Sequence, residues 1–172
     1  MRKYITDAEV TRRLKEMCVI CDSREQVNTH ITGYLDRKKI PRCTRGLEIG
    51  DYSAMLEDMT LENDLVIERK ASLDELCGNM SADRNRFERE FLRAKANGTK
   101  VHLIIENASW SRIFLHDYVS KLSPKSLMAT LLSWQVRYDI TVTFCNPDES
   151  GKIIYGILYY AVREALKNGT AV

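Results

Sequence analysis

Short apolar runs alternate with amphipathic stretches of helical period along the chain, and this interleaving restricts the fold more than any single residue does. Val19-Ile20-Cys21, Leu65-Val66-Ile67 and Val101-His102-Leu103-Ile104-Ile105 read as buried strands, and helix-opening signals follow or precede them. Thr6 or Asp7 caps a first helix running to about Met17, and the strand after it ends at Asp22. Ser23-x-x-Gln26 reads as a capping box for a helix that turns Val27, Ile31 and Leu35 inward, ends in Arg37-Lys38-Lys39 and stops at Pro41. Two strands of equal length, about 51–57 and 64–70, flank a polar turn at 58–63. A helix starts near Ser72, and a longer one over about 82–96 carries Phe87, Phe91, Leu92 and Ala94 inward. Strand 101–106, a short helical stretch, a helix from Ser123-Pro124 to about Tyr138, strand 140–144 and a helix from Ser150 complete the chain. This order predicts an α/β protein with a mixed central sheet flanked by helices, a single domain over 1–172 with 1–16 as a helical extension.

Composition narrows the setting. A chain of 172 residues can bury a sizeable core. The start MRKYITDAEV lacks a secretory leader pattern, and no segment approaches the roughly 18 apolar residues of a membrane span. Five cysteines, an odd number at irregular spacing, predict free thiols in a reducing, intracellular compartment. A net charge of +2 neither requires nor excludes nucleic acid.

The strand at 65–70 is apolar until it ends in Glu68-Arg69-Lys70. Side chains alternate along a strand, so Glu68 and Lys70 share one face while Ile67 and Arg69 take the other. Asp51, after Gly50, starts the preceding strand, and a hairpin would set it within a residue or two of Glu68 across the ladder. Two adjacent carboxylates repel unless a cation lies between them, and an all-oxygen set selects a hard divalent ion, Mg2+ or Mn2+. Asp51 and Glu68 would then hold the ion against a phosphate oxygen, and Lys70 would orient water or neutralise developing charge, as phosphodiester hydrolysis requires. Asp22, ending the neighbouring strand, would add an outer or second-metal carboxylate.

Asp22-Ser23-Arg24-Glu25, Gly50-Asp51-Tyr52, Glu68-Arg69-Lys70 with Asp74, and the Arg-rich run 82–95 together resemble the nuclease domain of XPF-type structure-specific endonucleases. The hallmark of that family is GD followed by ERK-x-x-x-D, and the likeness covers roughly residues 17–145. It implies a restriction-endonuclease-like fold, Mg2+ dependence, DNA as substrate in repair or recombination, and a nuclease homodimer. Carried over, Asp51, Glu68 and Lys70 match the catalytic positions, Asp22 and Glu25 the acidic positions of the first motif, and Arg69 and Asp74 structural supports. Relatives that cut flaps and forks usually append a tandem helix-hairpin-helix module. This sequence leaves no room for one after its last predicted strand, and so looks like the stand-alone nuclease domains of bacteria and their phages.

Plainer roles are set beside these. Glu25 also suits a helix dipole, Asp74 the first turn of its helix, and Arg69 an ion pair with Asp74 or Glu75. Arg84, Arg86, Arg89 and Arg93 alternate with Asp83, Glu88 and Glu90, which intrahelical ion pairs largely explain; the functional reading brings Arg84 or Arg86 to a DNA phosphate. Arg37-Lys38-Lys39, Arg42 and Arg45 suit either a solvated helix end or a phosphate track. Cys18-x-x-Cys21 lies in a strand with no second pair at zinc spacing, so core thiols are expected rather than a redox or zinc module. His30, His102 and His116 receive no role. On the last helix Ile154, Ile157, Leu158, Ala161, Val162, Ala165 and Leu166 form a core stripe, leaving Tyr155, Tyr159 and Tyr160 for a homodimer interface, with the helix of Trp134 alongside. A catalytically silent DNA-binding or scaffold subunit of the same fold is the alternative, and the intact Asp51, Glu68 and Lys70 weigh against it.

Overall fold

The computed structural model describes residues 5–57, 59–82 and 84–168. In chain order the elements are α1 (Asp7–Leu14), β1 (Cys18–Asp22), α2 (Thr29–Arg37), β2 (Arg42–Arg45), β3 (Tyr52–Leu56), β4 (Met59–Thr60), β5 (Leu65–Lys70), α3 (Leu73–Ala82), α4 (Arg84–Asn97), β6 (Lys100–Glu106), α5 (Trp110–Phe114), α6 (Pro124–Tyr138), β7 (Thr141–Cys145) and α7 (Pro147–Asn168). One mixed sheet runs β2-β1-β3-β5-β6-β7, with β4 paired to β3. β3 is antiparallel to β1 and β5, whereas β1 with β2 and β5 with β6 and β7 are parallel.

Strand alternation sends side chains to two cores. On one face Val19, Cys21, Tyr52, Ala54, Ile67 and Ile104 pack with Ile31 and Leu35 of α2 and with Ile154, Leu158 and Val162 of α7. On the other, Val66, Leu103 and Ile105 pack with Leu76, Phe87, Phe91, Leu131 and Trp134 of α3, α4 and α6. Helices α2 and α7 approach closely because Gly151 has no Cβ, which would lie 2.7 Å from Tyr34 Cβ.

Several expectations change. Helix α2 begins at Thr29, and its N-cap Asn28 makes no side-chain capping bond, so Ser23 and Gln26 form no capping box. Segment 23–28 is instead turned by Asp22, whose carboxylate takes the backbone N–H of Arg24 and whose carbonyl takes that of Glu25, leaving Val27 78% exposed. Phe87, Phe91 and Ala94 are buried at i, i+4, i+7, which turns Leu92 to solvent at 57%. No tight two-strand hairpin forms between β3 and β5, because β4 first folds back on β3, although Tyr52 still faces Ile67. Asp58 of that turn, Asp83 of the charge alternation and positions 1–4 of the extension lie outside the described residues. β2, with sequence Arg-Cys-Thr-Arg, has no apolar pattern to announce it; backbone pairing with β1 makes it the sheet edge.

On α7, Tyr155 and Tyr159 pack against the first core and Tyr160 is exposed. Trp134 is fully buried, 5.3 Å from the rings of both Phe87 and Phe91, and donates from Nε1 to Glu88 at 3.0 Å, so it supplies no interface surface.

Candidate active site

Gly50 fixes the approach of Asp51. It has φ +78°, and a Cβ there would lie 2.9 Å from Val66 Cβ and 3.0 Å from the Ile67 carbonyl oxygen. Only glycine combines that backbone conformation with so close an approach. Asp51 is then locked between two strands: its N–H donates to Ile67 O at 2.7 Å, its carbonyl accepts from Asp22 N–H at 2.7 Å, and its Oδ2 accepts from Arg69 N–H at 2.7 Å. The pairing of Tyr52 with Ile67 sets Asp51 across the ladder from Glu68.

On the face covered by α3 and α4, Lys70 Nζ lies 2.8 Å from Glu68 Oε1 and 3.7 Å from Glu75 Oε1. It also sits 5.0 Å over the Phe87 ring, a cation–π contact. Burial, and then the charge of Glu68, pushes the Asp51 carboxyl up to about 8. Burial likewise raises Glu68, with Lys70 opposing it. For Lys70 burial works against the charge, but Glu68, Glu75 and Asp51 outweigh it and the pKa is raised. Two buried carboxylates with rising pKa values next to a held ammonium form a site that strongly favours added positive charge.

Glu68 and Lys70 open onto a cleft of about 140 Å³, whose other walls are Asn79 of α3 and Arg86, Phe87 and Glu90 of α4. Asn79 carries no signal in the sequence, and Glu90 shows there only as a member of the charge alternation; the place of each at the cleft emerges only when α3 and α4 fold over β5. Arg86 is exposed and lies 3.6 Å from Glu90. Arg84, by contrast, donates from Nε to Glu88 at 2.9 Å, in the intrahelical pair that its spacing predicts.

The remaining candidates act elsewhere. Both oxygens of buried Asp22 are engaged, Oδ1 by Arg24 N–H and Nε and Oδ2 by Arg24 Nη2 and Leu47 N–H. Burial would raise this carboxyl, but those donors hold it below its ordinary value. It therefore braces the end of β1 and does not join the cleft. Arg69 pairs with neither Asp74 nor Glu75. On the opposite face of β5 it reaches Glu106 with Nε and Nη2, both at 2.9 Å, and Glu25 with Nη1 at 3.0 Å. Glu106 also contacts His30 Nε2 at 2.8 Å and accepts from the Ser150 hydroxyl, so His30 has a structural partner. Glu106 ends an apolar strand as Glu68 does, and that signal could have marked it. Asp74 Oδ1 accepts from the N–H groups of Val119 at 2.9 Å and Ser120 at 2.7 Å, pinning the 115–120 loop to the first turn of α3.

Arg42 pairs with Asp36 at 2.7 Å and Arg45 with Glu62, which fits a solvated edge. All five cysteines are free, and burial first among the causes lifts Cys18 and Cys21 to about 11, as expected for unreactive thiols.

Among the described residues no three His, Cys, Asp or Glu side chains gather into a closed metal cage. Two carboxylates beside an open cleft suit Mg2+ or Mn2+, which keep several waters and bind through one or two carboxylates together with substrate phosphate. The all-oxygen donor set excludes a zinc-type thiolate site here.

A mixed sheet with helices on both faces and Asp51, Glu68 and Lys70 gathered on adjoining strands gives the chain the fold of an XPF nuclease domain. The chain belongs to the ERCC4 domain family, whose model matches residues 21–157. Among solved structures it is similar to XPF from Aeropyrum pernix, at 19% identity and a TM-score of 0.66, with 86% of this chain and 66% of that one covered. XPF from Aeropyrum pernix in complex with DNA matches at 18% identity and a TM-score of 0.64, with the same coverage. The chain thus spans just under two thirds of that relative, and at such identities the likeness establishes the fold. No curated protein matches the chain in sequence.

Proposed function

We propose that the protein is a divalent-metal-dependent DNA endonuclease that hydrolyses phosphodiester bonds, with branched and flap DNA among the substrates to be compared. The observation that carries this reading is the placement of Asp51 and Glu68 across one ladder with Lys70 on the face of Glu68 at the mouth of a polar cleft. Membership of the ERCC4 domain family and likeness to an XPF solved with DNA support it. Asp51 and Glu68 would hold Mg2+ or Mn2+. Such an ion, when bound, polarises the phosphoryl oxygen and lowers the pKa of a coordinated water. Lys70, kept protonated and positioned by Glu68, sets a positive charge where the phosphorane charge develops. Arg86 at the cleft edge meets a flanking phosphate. Glu25, Arg69, Asp74 and Asp22 support these groups without touching the scissile bond.

The protein is also inferred to act as a homodimer through its C-terminal helices. Exposed Leu132 and Val136 on α6 and Tyr160 on α7 support this, and sedimentation at tens of micromolar tests it. Among the described residues no helix is long and apolar enough to cross a membrane. The decisive assay is cleavage of labelled single-stranded, duplex, flap and splayed-arm DNA with Mg2+, Mn2+ or chelator. Asp51→Asn, Glu68→Gln and Lys70→Ala should each lower the rate by about two orders of magnitude or more. Full activity in one folded variant, or in chelator, refutes the reading, and binding without any cleavage would indicate the silent DNA-binding subunit.

A further inference from the structure

The cleft beside Glu68 contains two side chains that the nuclease reading leaves idle, Asn79 and Glu90. Asn79 Oδ1 is buried yet has no hydrogen-bond partner among the described residues. A buried acceptor left unpaired is costly, and most such groups in folded proteins are satisfied. Asn79 lines the cleft together with Glu68 and Lys70. Glu90, one turn beyond Arg86 on α4, faces the same space. Arg86 Nε lies 3.6 Å from its Oε1, too long for a full hydrogen bond, so the carboxylate keeps accepting capacity. Around Glu68 the cleft therefore offers a neutral amide oxygen and a second carboxylate, and among its lining residues Asn79, Glu68 and Glu90 are the oxygen acceptors.

We propose that Asn79 and Glu90 form the far wall of the cation site, Asn79 Oδ1 supplying a neutral oxygen ligand and Glu90 accepting hydrogen bonds from the waters the ion retains. Mg2+ and Mn2+ take carboxylate and amide oxygens and keep several waters. Those waters are strong donors, and an acceptor-only carboxylate facing them orients them. The assignment rests on the nuclease reading for the presence of the ion and adds the residues that complete its surroundings. It also gives Arg86 a second state, since drawing Glu90 towards bound water frees the guanidinium for phosphate.

The test is Mn2+ binding to the DNA-free protein, followed by titration calorimetry, with Glu68→Gln, Asn79→Leu, Asn79→Asp, Glu90→Gln and the remote control Glu164→Gln. Wild type and the control should bind alike, and Glu68→Gln should abolish binding. Asn79→Leu and Glu90→Gln should each weaken Mn2+ by about ten-fold. Asn79→Asp, which keeps an oxygen at the same place, should bind at least as tightly as wild type. Thermal unfolding in chelator separates ligation from a structural role: Asn79→Leu removes no Oδ1 hydrogen bond and should leave Tm unchanged or raised. Wild type that fails to bind Mn2+, or Glu68→Gln that binds as wild type does, overturns the nuclease reading and this inference with it. Normal wild type and Glu68→Gln behaviour, with Asn79→Leu and Glu90→Gln within two-fold of wild type, overturns this inference alone.

Discussion

Glu106→Gln should be among the most destabilising single substitutions in the chain, although residue 106 lies on the face of the sheet opposite the cleft. Glu106 is 2% exposed and Arg69 5%, and they share a two-pronged pair with both contacts at 2.9 Å. His30 and Ser150 turn to the same carboxylate. Removing one member of a buried pair leaves the other uncompensated, at about 3–5 kcal/mol. Glu25, 3.0 Å from Arg69, retains part of the compensation, which places the loss in the lower half, about 3–4 kcal/mol. For a chain of this length each kcal/mol is about 2–4 °C, so Tm should fall by roughly 6–16 °C. Replacing both partners, Arg69→Met with Glu106→Leu, should recover much of the loss, because the desolvated charges leave together. The pH dependence follows from the Glu106 carboxyl. Burial pushes it up, but Arg69, Ser150 and His30 outweigh burial and hold it below its ordinary 4.5. A depressed carboxyl contributes stability that is present above the unfolded value and lost as pH falls through the folded one. The deficit of Glu106→Gln should therefore be full at neutral pH and shrink below about pH 4. Urea unfolding of wild type, Glu106→Gln, Arg69→Met, Glu106→Leu and the double variant measures both the loss and its recovery. A single-variant loss below about 1 kcal/mol at neutral pH, or strict additivity in the double variant, would refute the reasoning.

Three further outcomes are expected. Asp51→Asn should raise Tm in chelator at about pH 9 and leave it unchanged near pH 4, since a carboxyl lifted to about 8 penalises folding progressively as pH rises from its unfolded value; equal shifts at both pH values would contradict this. Gly50→Ala should lose about 2 kcal/mol or more in denaturant unfolding and most cleavage as well, because its Cβ meets Val66 and the Ile67 carbonyl at φ +78° and displaces Asp51. Arg86→Ala should weaken DNA binding and lower the salt slope by about one, whereas Arg84→Ala, paired with Glu88, should leave the slope unchanged; fluorescence anisotropy across a salt series distinguishes them.

How far the sequence discloses this site depends on whether a contact is local. Period-two alternation in β5 and the glycine before Asp51 specify which face and register Asp51, Glu68 and Lys70 occupy, and both are readable from a few adjacent residues. Helix α6, with Ser123 accepting from Ser126 N–H and proline after it, is readable for the same reason. Arg69 is different. Its partner Glu106 is on a neighbouring parallel strand 37 positions away, and sequence favours the nearby Asp74 and Glu75, which lie beyond its face. Asp22 misleads in the opposite way: its position beside Asp51 in the sheet suggests a ligand, but Arg24, two residues on, turns back and takes it. Edge strand β2 carries no apolar signal because neither of its faces is buried.

Arg69 joins the two faces of the sheet. Its N–H donates to Asp51 Oδ2 at 2.7 Å, while its guanidinium is held on the other side by Glu106 and Glu25. The backbone at 69 lies between Glu68 and Lys70, so whatever fixes that guanidinium also fixes the two groups that flank it and the hydrogen bond that orients Asp51. An arginine suits this position better than lysine, because its planar fork engages two carboxylates at once and stays charged when buried. The polar network on the α2 and α7 face thus does more than satisfy its own charges: it holds the strand end against the repulsion between Asp51 and Glu68, which would otherwise push β3 and β5 apart at the cleft. Two carboxylates held close together need their rigidity from somewhere other than themselves, and here it comes from the reverse side of the same strand.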